Sequence, residues 1–139
     1  MQYKLLGNTG LKVSELCLGA MAFGKEWEWG ANRETSQAMF ETFAEAGRNF
    51  IDTANVYTNG TSEEMLGEFV SSERDRFVIA TKYTVMMNPN DPTSSGNLRK
   101  NLMRSLDASL KRLNTDYIDL YGVYMWDTGF QDLKLTLWT

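Results

Sequence analysis

The chain has no histidine, one cysteine and two prolines. Without imidazole, no side chain has an ordinary pKa near neutrality, and the commonest metal ligand is missing. Acid–base chemistry therefore falls to carboxylates, phenols and amines, and no metal site is expected. Cys17 has no partner for an intrachain disulfide, which fits a reducing compartment. Inside the apolar run ELCLGAMAF it reads as a small buried hydrophobe. Long hydrophobic runs are absent too, since no segment approaches the ~18 apolar residues of a membrane span. The start, MQYKLLGNTGLKVSEL, alternates polar and apolar residues and lacks the basic and apolar regions of a signal peptide. A soluble, cytoplasmic protein is expected. Positive charge is not in excess either: 14 Lys and Arg against 18 Asp and Glu leave −4. That argues against nucleic acid or an anionic membrane as the main partner.

What is present is a globular composition, with 42% hydrophobic and 23% charged residues in 139. This is enough for one domain with a real core. Two short strand-like runs flank GNTG and read as a β-hairpin. LCLGAMAFG follows as a strand buried on both faces. After the loop KEWEWGAN, Asn32 caps a helix whose face carries Met39, Phe40, Phe43 and Ala46, and Gly47 ends it. NFIDTANVY is a second strand. Thr61 and Glu64 have capping-box spacing before a helix with Leu66 and Phe69. RFVIATKYT is a third strand. Leu98, Leu102, Leu106, Leu110 and Leu113 then mark the clearest helix, and DYIDLYGVYMW a fourth strand. A hairpin followed by alternating strands and helices implies an α/β fold with a parallel sheet and right-handed crossovers.

In such folds the working residues gather at the C-terminal ends of the strands. Asp52 and Tyr57 lie at and beyond the second strand's end, Lys82 at the third, and Tyr124 near the fourth. A phenol with a pKa near ~10 is a poor acid at neutral pH, and a neighbouring ammonium lowers that value. A carboxylate can hold the ammonium in place. The trio suits protonating a developing alkoxide, half of a carbonyl reduction. By spacing alone, a solvated lysine and an unrelated Asp–Tyr pair fit as well.

The chain resembles the N-terminal half of an aldo-keto reductase. LGNTGLKVSELCLGAMAFG resembles the family's opening hairpin and first strand, and NFIDTANVYTNGTSEEMLGEF its Asp–Tyr signature. VIATK resembles its lysine strand, and LMRSLDASLKRLNTDYIDLY the helix and strand before its catalytic histidine. The resemblance covers residues 1–127 and implies the first four strands and three helices of a (β/α)8 TIM barrel behind an N-terminal hairpin. It implies NADPH as cofactor and an aldehyde or ketone as substrate. By position, Asp52 orients the lysine and borders the cofactor, Tyr57 is the proton donor, and Lys82 lowers the tyrosine's pKa. Trp27 and Trp29 would wall the substrate pocket, or pack on a neighbouring helix.

Two departures stand out. Tyr124 occupies the histidine's position, where the family hydrogen-bonds the substrate carbonyl; a phenol donates such a bond but cannot act as an imidazole. A full barrel also needs ~250 residues, and the family's grip on the cofactor's 2′-phosphate comes from later strands. Residues 128–139 read as a non-family tail, in which Leu133, Leu135 and Leu137 alternate with Lys134, Thr136 and Trp138 at a strand period. A frameshift, an alternative transcript, a truncation or an assembling half-barrel would each give such a tail. Two expectations follow: a reductase impaired or inactive in this chain, or a non-catalytic partial barrel acting through self-association or partner binding. A nucleotide-sensing module is the third reading, and it needs the absent phosphate site. Unpaired sheet edges make self-association the expected mode of assembly.

Overall fold

In the computed structural model, which describes residues 2–126, strands β1 (Tyr3–Leu5) and β2 (Lys12–Ser14) pair antiparallel with Lys4 opposite Val13. Side chains tie this hairpin to the body. Tyr3 Oη donates to the Gly47 carbonyl at 2.6 Å, and the Ser14 amide donates to Asn49 Oδ1 at 2.8 Å. Asn49 directly precedes strand β4 (Phe50–Asp52), so the hairpin sits where the main strands begin.

The main sheet runs β3 (Cys17–Gly19), β4, β5 (Val78–Tyr83), β6 (Leu120–Val123), every pair parallel. Helices α1 (Arg33–Glu45), α2 (Thr61–Val70) and α3 (Arg99–Arg112) fill the crossovers. Successive strand residues face opposite sides. Ile51 and Ile79, both fully buried, point to the helix layer and pack with Phe40, Phe43, Leu66, Val70, Phe77 and Leu113. Asp52 and Lys82, one residue out of phase with Ile51 and three with Ile79, face the other way. The expected hairpin, four parallel strands and three helices are all present: this is the first part of a parallel α/β barrel. Among the described residues no helix is long and apolar enough to cross a membrane. The alternating segment 133–138 lies outside the described residues.

Local expectations fare unevenly. Asn32 caps α1, accepting the Thr35 amide at 2.9 Å. The buried face of that helix, however, is Ser36, Phe40, Phe43 and Ala44. Met39 and Ala46 are exposed, because a helix turns about 100° per residue and Met39 falls off the stripe. Strand β3 is short and not buried on both faces. Cys17 and Gly19 are exposed, since β3 is an edge strand with only β4 beside it. The capping box of α2 does not form. Gly60 is the N-cap, at a left-handed φ of 105° that favours glycine, and the Thr58 hydroxyl accepts the Ser62 amide at 3.1 Å. Thr61 donates to Glu26 instead. On α3 the fully buried stripe is Asn101, Ser105 and Ser109, one position before the leucines. Leu102, Leu106 and Leu110 are half-buried, and only Leu113 is sealed.

Small residues let the helices approach closely. A Cβ on Gly67 would lie 2.6 Å from the Leu113 carbonyl carbon and oxygen, so α2 rests on the backbone that ends α3. Gly67→Ala should therefore lower stability by about 1–2 kcal/mol, the overpacking outweighing alanine's better helix propensity. The check is the urea midpoint, which should fall at constant slope; an unchanged or higher midpoint would contradict this packing.

Candidate active site

Asp52 is the last residue of β4, and Lys82 lies on the adjacent strand near its end. Their shared inward orientation brings them together. Lys82 Nζ is 2.6 Å from Asp52 Oδ1 and 2.7 Å from Oδ2, and it donates to the Thr53 carbonyl at 2.8 Å. The ammonium is thus oriented by one carboxylate and one backbone oxygen.

Tyr57 opens the 3-10 turn Tyr57–Gly60, directly after the segment that leaves β4. Its amide donates to the Ala54 carbonyl at 3.1 Å, and the residue is only 7% exposed. Lys82 Nζ lies 5.2 Å from the Tyr57 ring centre and 6.0 Å from that of Tyr124, within cation–π range. Tyr124 follows β6, its amide donating to the Tyr83 carbonyl at 3.0 Å. The four residues that the sequence singles out at strand ends therefore form one cluster.

The tryptophans join it. Trp29, Trp27, Tyr57 and Tyr124 make a continuous row, with ring centres 5.6, 6.3 and 5.9 Å apart. Trp27 meets Tyr57 edge-on at 81°, and Tyr57 meets Tyr124 at 80°, the arrangement ring quadrupoles prefer. Thr58 Oγ1, donating to the Phe23 carbonyl at 2.6 Å, holds the tryptophan loop against the Tyr57 turn. Trp27 thus lies beside Tyr57, and Trp29 beside Trp27.

The proton affinity of Tyr57 runs against expectation. Its pKa is pushed up to about 12, first by burial, then by Tyr124 and by the Asp52 carboxylate, with a hydrogen bond that Tyr57 donates to Tyr124 adding to the effect. The lowering expected from Lys82 does not prevail over these effects. Cys17, on the inner face of β3, has its thiol pushed up to about 11 by desolvation and by Asp52, although the residue as a whole is exposed. It is a neutral thiol at physiological pH. Among the described residues, no three His, Cys, Asp or Glu side chains converge.

Sequence reasoning missed the supports. Thr81, next to Lys82 but facing the helices, donates to Glu63 Oε1 at 2.6 Å, while Arg112 Nε donates to Glu63 Oε2 at 2.7 Å. Glu63 is fully buried. Ser62 Oγ donates to the Ala20 carbonyl at 2.7 Å and accepts from Thr53 Oγ1 at 2.8 Å, joining β3, β4 and α2. Asn55 donates its amide to the Lys82 carbonyl at 3.0 Å, and its buried Oδ1, without a protein partner, lines a cavity of about 140 Å³ with Asn101, Ser105 and Arg112. Glu63 and Glu64 are adjacent and alike, so no pattern distinguished the buried one. The serines and Asn101 carried no apolar signal.

A four-stranded parallel sheet with helices on one face, and a carboxylate, ammonium and phenol at its strand ends, places the chain among the parallel α/β barrel proteins. More narrowly, the chain belongs to the aldo/keto reductase family, whose model matches residues 15–135. That match extends beyond residue 127, into the segment the sequence sets apart. The chain is 47% identical over 128 residues to norsolorinic acid reductase stcV of Emericella nidulans, covering 85% of this chain and 33% of that relative. It is 39% identical over 138 residues to the aryl-alcohol dehydrogenase [NADP(+)] of Phanerodontia chrysosporium, covering 89% and 36%. Among solved structures it is similar to a Bacillus halodurans aldo-keto reductase in its holo form. That match has a TM-score of 0.77 and 28% identity, covering 88% of this chain and 40% of that one. A thermostable aldo-keto reductase in complex with the inhibitor epalrestat aligns with a TM-score of 0.76 and 32% identity, covering 94% and 45%. The chain spans about a third of the length of the curated relatives it matches.

The raised phenol makes a pH prediction. The ordinary value for Tyr57 is 10.0 and the folded value about 12. Below the lower value both states hold the proton, and this group leaves stability independent of pH. Between the two values the unfolded chain releases the proton and the folded chain keeps it, so stability falls as pH rises. Tyr83 and Tyr121, also raised by burial, add to the slope. Between about pH 9 and about pH 11, the urea midpoint should drop less in Tyr57→Phe than in wild type. Equal drops would mean that the phenol is not desolvated as described.

Proposed function

We propose that the chain carries the proton-transfer half of an NADPH-dependent carbonyl reduction, with Tyr57 as the acid. The observation that carries this reading is the Lys82 ammonium, locked by Asp52 at 2.6 Å and lying 5.2 Å from the Tyr57 ring. The residues fit the reactive, nicotinamide end of such a cofactor: a phenol donor, an oriented cation and a carboxylate share the mouth of the sheet. When bound, NADPH supplies the hydride to the carbonyl carbon. Tyr57 gives its O–H proton to the resulting alkoxide oxygen. Lys82 stabilises the phenolate left behind, and Asp52 fixes Lys82. Tyr124 stands where the family's histidine is expected and presents a phenol hydrogen bond in its place. Its contribution to the raised pKa of Tyr57 makes the acid weaker, so turnover is slower than an unhindered phenol near an uncompensated ammonium would give.

The substrate class follows from the aromatic row. Trp27, Trp29 and Tyr124 offer ring faces and edges beside the donor, and flat aryl carbonyls gain from such contacts. The aryl-alcohol dehydrogenase relative supports the same class. The single cysteine suits a reducing, cytoplasmic setting.

The reading is tested by following NADPH absorbance with an aryl aldehyde. Tyr57→Phe keeps the ring and removes the acid, so any turnover should fall roughly 10²–10⁴-fold. Lys82→Met should lower it as well. Turnover that is the same in wild type and Tyr57→Phe would remove Tyr57 from the reaction.

A further inference from the structure

Tyr57 and the tryptophan loop belong to different crossovers, and one side chain joins them. The loop leaves β3 through Ala20 and Phe23 and returns at Ala31. Its ends are paired: the Gly24 amide donates to the Ala31 carbonyl at 2.9 Å, and the Ala31 amide to the Ala22 carbonyl at 2.7 Å. Trp27 and Trp29 lie between these ends. Thr58 directly follows Tyr57. Its Oγ1 donates to the Phe23 carbonyl at 2.6 Å and accepts the Ser62 amide at 3.1 Å. One hydroxyl therefore binds the tryptophan loop on one side and the first turn of α2 on the other. Phe23, Thr58 and Ser62 are all fully buried, so water does not compete for either bond.

The backbone at Thr58 is costly to hold. It stands at φ 46° and ψ 43°, in the left-handed region, which a β-branched residue seldom occupies. Glycine adopts this conformation freely. It has no hydroxyl, however, and would leave the Phe23 carbonyl and the Ser62 amide buried without these partners. Strain of this kind persists only where the surroundings impose it. The surroundings are close: a Cβ on Gly24 would lie 2.9 Å from both Thr58 Cβ and Oγ1, so the base of the loop rests on Thr58 itself.

We infer that Thr58 is a positioning residue that fixes the Trp27 and Trp29 rings relative to Tyr57, so that the aromatic wall is formed before substrate arrives. This rests on the reading of the site as one for flat aryl carbonyls. Trp27 and Tyr57 are 6.3 Å apart between ring centres, yet the covalent path between them runs through residues 28–56. The Thr58 hydroxyl replaces that path with two hydrogen bonds. A wall held in this way loses less freedom on binding than a mobile loop does.

Three substitutions test the inference. Thr58→Val keeps the shape and removes the hydroxyl, Thr58→Ser keeps the hydroxyl, and Thr58→Gly removes it while relieving the left-handed backbone. The measurement is near-ultraviolet circular dichroism of the Trp27–Trp29 pair, whose ring centres are 5.6 Å apart; the pair's share is the signal lost in Trp29→Phe. That signal should persist in Thr58→Ser and collapse in Thr58→Val and Thr58→Gly, with far-ultraviolet spectra confirming that each is folded. A full wild-type signal in folded Thr58→Val or Thr58→Gly overturns the inference. Benzaldehyde binding without cofactor, followed by tryptophan quenching, should weaken roughly tenfold in Thr58→Val and hardly change in Thr58→Ser. Equal affinity in wild type and Thr58→Val counts against Thr58. If benzaldehyde does not bind the wild type, the aryl reading falls, while the pair signal still decides whether Thr58 sets the spacing. Hydrogen exchange needs no mutation: the Ala31 and Ser62 amides should open as one unit, and an Ala31 amide exchanging far faster than that of Ser62 overturns the tie.

Discussion

Lys82 has three protons to donate, and two oxygens of Asp52 and one backbone carbonyl surround it. The position of everything else at the strand ends follows from that ammonium. It stands above the Tyr57 ring, within 6.0 Å of the Tyr124 ring, and on the strand beside the one that delivers Asp52. With its side chain 24% exposed, it would lose part of its solvation without gaining a counter-charge if Asp52 were absent. Leaving a partly buried charge uncompensated is costly, and truncating one member of such a pair does more harm than the pair's net contribution would suggest.

Strand β5 is fixed on both faces by consecutive residues. Lys82 turns inward to Asp52, and Thr81 turns outward to Glu63, which Arg112 neutralises. Each side therefore has a carboxylate, one at the mouth of the site and one sealed under the helices. The outer network joins α2, α3 and β5, and Gly67 lets α2 rest on the end of α3. A shift of α3 would move Arg112, then Glu63 and Thr81, and so the strand that presents Lys82. Positioning of the ammonium thus depends on contacts that never touch a ligand.

This division also sets what could be read in advance. Strands were legible because their ends coincide with apolar runs, and Asp52, Tyr57 and Lys82 because a parallel sheet collects residues at those ends. The Asn32 cap was legible because its bond is local. The α3 stripe was not. Leu102, Leu106 and Leu110 carry the helical period, but Asn101, Ser105 and Ser109 take the closest approach, where small side chains and hydrogen bonds are needed. Apolar periodicity finds the hydrophobic stripe of a helix and is blind to a tight polar contact beside it. Thr61 failed as a cap because Glu26, remote in sequence, accepts its hydroxyl proton. Cys17 was misjudged because burial of a strand depends on both neighbours, and the sequence of one strand does not say whether it lies at an edge.

The raised phenol bears on which protonation state is at hand for the proposed step. In the proposed reduction, Tyr57 protonates an alkoxide whose conjugate acid is comparable to bulk water, with a pKa of ~15.7. A phenol held at about 12 still gives up its proton downhill to that base. In the reverse sense, alcohol oxidation, the same residue must first be a phenolate, and at neutral pH only about one molecule in 10⁵ carries one when the pKa is about 12. Burial and the tyrosine at position 124 therefore hold Tyr57 in the protonated form that the proposed step needs.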